Sequence, residues 1–380
     1  MLPAAEGPGV YIHVPFCTRR CDYCAFATWT GRESEIQRYI DAVHTEWESR
    51  RDELGARFAR TIYVGGGTPS LVPGPLLARL LGAIERSADC EVTVECNPES
   101  TSEELLGHLA SAGVTRISLG VQSTVPHVLA GLGRDHHPGA LARAVAAVTA
   151  VGFASYSVDL IYGGAGERDE DFARSLADIL TLDPPPPHVS AYALTIEAGT
   201  PLARAPERHP DDDVQATRYE MADEALAAAG LSWYEISNWA RPGHESRHNS
   251  ACWRQEDYLG LGCAAHSHRA GTRSWNVVNL DRYLRAITAG GRAPAGEERL
   301  SPAERQRERL ELALRTRAGV PTSAFAPATA DELVGAGLLD ALGEHLVLTR
   351  RGRLLANEIT CRLRDAPPAA ARTGGRARAS

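Results

Sequence analysis

The sequence predicts an α/β fold on a mainly parallel sheet, and two observations carry the prediction. Short β-rich runs alternate with helix-length amphipathic stretches over the first 240 residues, the pattern of βα units. Several of those runs end in Gly or polar residues, as strands do where a parallel sheet presents its ligand site at the carboxyl ends. Six or seven such units suit a complete or partial barrel, or a doubly wound sheet.

The expected strands are 9–15, 61–65, 91–95, 116–121, 155–162, 188–194 and 232–237. The amphipathic stretches between them lie near 33–54, 75–86, 101–112, 137–151, 167–181 and 213–229. The strand ends at Gly65-Gly66-Gly67-Thr68, Glu95-Cys96-Asn97-Pro98, Gln122-Ser123, Asp159 and Tyr162-Gly163 form one rim of the expected site. Residues 241–277 are rich in Gly, His, Trp and Arg with little periodicity. They read as a loop-rich substrate region. Ser301-Pro302 starts a helix. Residues 331–361 read as helix, short hairpin about Gly343, and helix, the order of a winged helix. The expected domains are 1–240, a loop-rich 241–300, a helical winged-helix-like 301–362, and a disordered tail at 363–380.

Composition narrows the function. The 380 residues are 43% hydrophobic and 23% charged, ordinary for a soluble globular chain. The net charge of −8 argues against a nucleic-acid binder. All 40 basic residues are Arg, so Schiff-base lysine chemistry and a Walker-loop lysine are excluded. No apolar run reaches the ~18–20 residues of a membrane span, and residues 1–15 lack the pattern of a signal peptide. A cytoplasmic protein is expected. Eight Cys are too few for a disulfide scaffold.

Three of those Cys crowd into His13-Val14-Pro15-Phe16-Cys17-Thr18-Arg19-Arg20-Cys21-Asp22-Tyr23-Cys24. Three thiolates at this spacing can wrap an iron–sulfur cubane and leave one iron open, the mark of a catalytic metal site. The alternative is zinc with His13 as fourth ligand, or a chance cluster.

This CxxxCxxC loop after the first strand, with Tyr23 just before the third Cys, resembles the radical S-adenosylmethionine (SAM) enzymes. The resemblance implies a partial (β/α)6 barrel and a [4Fe-4S] cluster on Cys17, Cys21 and Cys24. It also implies SAM chelated at the open iron, an electron donor for the cluster, and cleavage of SAM to a 5′-deoxyadenosyl radical. Gly65-Gly66-Gly67-Thr68-Pro69 is similar to the family's glycine motif at the methionyl amino group, with Thr68 in place of its acidic residue. Glu95, Gln122, Arg134 and Asp159 resemble nucleoside- and carboxylate-binding positions of the oxygen-independent coproporphyrinogen III oxidase branch. Tyr11 and Ala193 are further carry-overs of that kind.

Motifs along nearly the whole chain resemble that branch, among them Ser118 to Gln122, Val158 to Gly163, Tyr192 to Glu197, Ile236 to Gly243 and Asp257 to Ser267. The last three are most similar to its heme-chaperone group. The oxidases carry a further Cys two residues after the cluster, where this chain has Phe26. They also carry an N-terminal extension, whereas ten residues precede Tyr11 here. The resemblance therefore implies binding of heme and its delivery to respiratory-chain proteins. The alternatives are radical decarboxylation of coproporphyrinogen propionates, another radical-SAM enzyme, or a zinc module. His248-Asn249-Ser250-Ala251-Cys252-Trp253 matches the group's HNxxYW motif except at Cys252, so His248 is the expected axial heme ligand and Cys252 an alternative. His266 and His268 compete for that role. Trp239 and Trp253 could cover the porphyrin, and Arg241, Arg247, Arg254, Arg269 and Arg273 could hold propionates. Arg372, Arg376 and Arg378 in the tail could dock on a membrane surface, and homodimerisation is left open.

Overall fold

The computed structural model describes residues 7–55, 58–134, 137 and 139–363. The expected tail, with Arg372, Arg376 and Arg378, lies outside the described residues except for Leu363, which is buried. The chain divides into two compact units, Met1–Glu298 and Arg299–Ser380.

The first unit opens with β1 (Gly9–Val14), α1 (Ile36–Arg50), β2 (Ala59–Gly66), α2 (Gly74–Gly82), β3 (Arg86–Cys96), α3 (Glu103–Ser111) and β4 (Arg116–Gln122). It continues with α4 (Pro126–Gly131), α5 (Ala140–Val151), β5 (Ser155–Tyr162), α6 (Asp169–Leu180), β6 (His188–Ala193) and α7 (Asp212–Ala228). Strands β1 to β6 pair in chain order and all in parallel. These are the expected βα units, and they form the partial (β/α)6 barrel fold.

The strands have two unlike faces. Val10, Ile12, Ile62, Val64, Val92, Val94, Ile117, Leu119, Val158 and Val189 are all fully buried and alternate along the strands. Between them stand Tyr11, Thr61, Tyr63, Thr93, Glu95, Arg116, Ser118, Ser157, Asp159, His188 and Ser190. A parallel strand buried against apolar layers on both faces reads as a continuous hydrophobic run. This strict alternation instead gives the barrel a polar interior.

Beyond α7 the structure departs from expectation. Residues 232–237 are not another parallel unit. They form β7 (Ser232–Glu235), which pairs antiparallel with β8 (Asn238–Ala240) at the β6 edge. The region expected to be loop-rich holds α8 (Arg247–Trp253), β9 (Tyr258–Leu261), β10 (His266–Arg269), β11 (Thr272–Asn276), α9 (Leu280–Gly290) and β12 (Pro294–Arg299). Strand β9 runs parallel to β1 on its free side and carries β10, β11 and β12 outward, giving a twelve-stranded sheet. Strands of three to six residues joined by glycine turns are too short to show a period, which is why this stretch looks irregular in sequence.

The second unit holds α10 (Pro302–Leu314), β13 (Val320–Pro321), α11 (Pro327–Gly335), β14 (Leu339–Leu342), β15 (His345–Leu348), α12 (Arg350–Leu354) and α13 (Ala356–Thr360). Ser301 and Glu304 cap α10 reciprocally, as the Ser-Pro start predicts. The hairpin β14–β15 turns at Gly343, whose φ of +62° favours glycine. Among the described residues no helix is long and apolar enough to cross a membrane.

Candidate cofactor site at the carboxyl ends of the strands

Cys17, Cys21 and Cys24 lie on the loop that leaves β1. Its two ends are tied together, with the Cys17 N–H donating to Trp29 O (3.0 Å) and the Trp29 N–H to Pro15 O (2.7 Å). Its middle is held by Asp22. The Asp22 N–H donates to Leu132 O (3.1 Å), and its carboxylate accepts from Arg208 (2.8 Å). The glycine segment after β2 comes alongside, as Gly67 N–H donates to Val14 O (2.7 Å) and Thr68 N–H to Phe16 O (2.8 Å). The Thr68 hydroxyl reaches Cys17 Sγ at 3.6 Å. A Cβ on Gly67 would stand 2.7 Å from Phe16 O and 3.0 Å from Cys17 Sγ, so this approach requires glycine.

The donor set fits a cluster better than a single ion. All three thiols are free and half-buried. His13, the fourth ligand of the zinc alternative, uses both ring nitrogens elsewhere. Nε2 pairs with Ala27 O (2.9 Å) and Nδ1 with the Tyr11 hydroxyl (3.1 Å). Among the described residues no three His, Cys, Asp or Glu converge to hold one metal ion. Thiolates that each bind a different iron of a cubane stand farther apart than the ligands of one ion.

Beneath the loop a cavity of about 730 Å³ runs into the barrel. Tyr23, Gly66, Gly67, Thr68, Glu95, Gln122, Arg134, Asp159 and Ala193 line it together with the three Cys. Of the residues singled out from sequence, Tyr11, His248 and the other heme candidates, Cys252, His266 and His268 among them, do not line it. Tyr11 packs on Tyr63 behind the wall, with ring centres 6.4 Å apart. Gln122 sits at a register shift between β4 and β5 with φ of +67°, a conformation few non-glycine residues adopt.

Three acids line the cavity, Glu95, Asp159 and the exposed Glu197. Glu95 accepts from the Tyr63 hydroxyl (2.7 Å) and the Gly66 N–H (3.1 Å). Burial pushes its pKa up to about 7, and the charge of Asp159 adds to that. Asp159 accepts from the Ser118 hydroxyl (2.8 Å), and burial raises its pKa too. The Arg134 guanidinium donates to Gly120 O (3.0 Å) and lies near the Tyr23 hydroxyl (3.5 Å). A zwitterion with a ribose would find a cation for its carboxylate and acceptors for its hydroxyls. Tyr63, Thr93, Arg116 and His188 line the same space and were missed from sequence, while Ser118 and Tyr192 were read there only as motif members. The signal was the polar face of the alternating strands.

The α8 region differs. His248 is buried, with Nδ1 on the Thr61 hydroxyl (2.9 Å) and its ring stacked on Tyr63. Burial lowers its pKa to about 4. Burial pushes the Cys252 thiol up to about 12, so it is no ready thiolate. Trp239 is fully buried and donates to Asp223 (2.8 Å), so it is a core residue and covers no porphyrin in this fold. Of the competing histidines, His266 stacks on Trp275, while His268 is buried beside Glu256 O (3.2 Å). Arg247, Arg254 and Arg273 are paired with Asp89, Glu256 and Glu298.

Comparison with known proteins places this geometry. The Radical SAM superfamily matches residues 11–179. A heme chaperone HemW of Mycobacterium tuberculosis is 44% identical over 92% of this chain and 93% of its own. A heme chaperone HemW of Bacillus subtilis is 32% identical over 92% of this chain and 97% of its own. The solved coproporphyrinogen III oxidase HemN of Escherichia coli superposes with a TM-score of 0.80 at 23% identity, covering 95% of this chain and 91% of that one, a likeness of fold. The chain therefore belongs to the HemW family within the radical SAM superfamily.

Proposed function

We propose that this protein is a heme chaperone that carries a [4Fe-4S] cluster on Cys17, Cys21 and Cys24 and binds SAM in the cavity beneath. The observation that carries the reading is the 44% identity, over nearly the full length of both chains, to a protein named as a heme chaperone. When bound, the cluster supplies one-electron chemistry at an open iron. The protein's own residues do the rest. Asp22 and the Phe16–Trp29 bridge fix the thiol loop. Gly66 and Gly67 let backbone approach the methionyl end, and Arg134 holds its carboxylate. Glu95, Gln122 and Asp159 take the ribose and base side, with Tyr23, Thr68 and Ala193 closing around them. Phe26, 64% exposed beside the thiol loop, stands where the oxidases of the resemblance carry a Cys, which argues against coproporphyrinogen decarboxylation.

Heme is the cargo, and respiratory-chain proteins are its recipients in this reading. His248 is the ligand candidate by motif. Its imidazole is engaged with Thr61, and the carboxylate of Glu91 accepts from the N–H groups of Arg247 and His248 (both 3.0 Å). The ring is buried, so ligation through His248 goes with its exposure. The test is titration of the anaerobically reconstituted protein with hemin, followed by gel filtration. The reading expects a saturable Soret-absorbing complex that survives the column and is lost in His248→Ala. Heme that elutes separately from the wild-type protein would remove the chaperone reading.

A further inference from the structure

We propose that the floor of the same cavity is a second anion site, built around Arg116 and suited to a small carboxylate. Arg116 lies on the interior face of β4, in register with Thr93 of β3 and Ser155 of β5. That is two residues, about 7 Å of strand, below the level of Glu95 and Ser118. The residue is 4% exposed and lines the cavity. Nη1 alone is hydrogen-bonded, to the Ser155 hydroxyl (3.2 Å) and His244 O (2.8 Å).

Among the described residues no carboxylate stands within ion-pair distance of this guanidinium. Asp159 is held by the Ser118 and Ser190 hydroxyls a layer higher. Glu91 gives both its oxygens to the N–H groups of Arg247 and His248. A buried charge without a partner is strongly disfavoured, so a fold that keeps one has a counter-charge in its working state. Two neutral neighbours also have unfilled hydrogen-bonding capacity. Thr93 Oγ1 and His188 Nδ1 are buried and without partners, and both residues line this cavity. His188 Nε2 is taken by the Tyr234 hydroxyl (2.8 Å), which leaves Nδ1 for a ligand.

One cation, one hydroxyl and one imidazole nitrogen are the complement of an oxyanion. A neutral ligand would leave Arg116 with only the charge of Asp159 a layer higher, beyond ion-pair distance, and a cation would be repelled. Arg134 lies at the rim and serves a separate group, so the two guanidiniums mark two anion positions in one cavity. The floor site stands whether or not the protein handles heme.

The test is calorimetric titration of sodium propionate into the full chain. Saturable binding is expected, at least tenfold weaker in Arg116→Gln and several-fold weaker in Thr93→Val. Displacement by hemin but not by hemin dimethyl ester would identify the natural occupant as a porphyrin carboxylate. Displacement by neither would mark a separate small acid, and both results support the site. Loss in Arg134→Gln with undiminished binding in Arg116→Gln would assign the anion to the rim and overturn the proposal. So would the absence of saturable binding to the wild-type protein. Should Arg116→Gln fail to fold, unchanged affinity in Thr93→Val overturns it instead.

Discussion

The two ends of the barrel carry the two sets of residues that the sequence singled out, and they are built differently. At the carboxyl ends of the strands, three half-buried thiols, the half-buried acids Glu95 and Asp159, and Arg134 converge on one cavity. At the amino ends, His248 is packed under Thr61 and Tyr63, and α8 is seated on the carboxylate of Glu91. The first end has chemistry left to do in the fold as it stands. At the second, the His248 ring is buried and its Nδ1 is engaged with Thr61. The contrast teaches that the rim residues stand assembled around one cavity, whereas heme ligation by His248 must first uncover a buried ring.

The largest expected effect is at the rim. Replacing Cys17, Cys21 or Cys24 with Ala should abolish the broad absorbance near about 400 nm of the reconstituted protein, while Cys90→Ala and Cys96→Ala keep it. Retention of that band in all three rim variants would break the comparison at its strongest point. Next is Arg134→Gln, which should weaken SAM binding by about a hundredfold, ~3 kcal/mol, as measured by equilibrium dialysis. An unchanged affinity would remove Arg134 from the site.

The third effect concerns Glu95. Its folded pKa of about 7 lies above its ordinary value of 4.5. Folding therefore favours the protonated acid, and stability falls as pH rises from 4.5 through 7. The loss is about 3 kcal/mol at most by pH 8. Denaturation of the metal-free protein should show Glu95→Gln matching wild type near pH 5 and exceeding it at pH 8. A wild-type protein more stable at pH 8 than at pH 5, with no gain from Glu95→Gln, would contradict this. The smallest effect belongs to the other end. His248→Ala should destabilise the fold by about 1–3 kcal/mol through the lost Thr61 bond, and leave the cluster absorbance intact. Loss of cluster in that variant would show that the two ends are coupled.

Much of the rim was legible in the sequence because its signals are local. The thiol spacing, the three glycines after β2 and the polar residues closing β3 to β5 each declare themselves within a few positions. The interior floor was not legible. Arg116, Thr93 and His188 come from three strands, and only the barrel closes them together. The alternation of Arg116 with Ile117 and of Thr93 with Val94 was visible as a pattern, but its meaning depends on which face the helices cover. The α8 region was legible as a motif but not in its surroundings. The HNxxYW-like motif announces His248 as a ligand, yet its partners Thr61 and Glu91 lie more than 150 residues earlier in the chain. Trp239 looked available for a porphyrin because nothing near it in sequence reveals the Asp223 carboxylate that holds it in the core.

The central claim is that the rim is a prebuilt iron–sulfur site, and elemental analysis of anaerobically purified protein tests it most directly. Iron and acid-labile sulfide are expected in equal amounts, both lost together when Cys17, Cys21 or Cys24 is replaced. Zinc bound without iron or sulfide would contradict it.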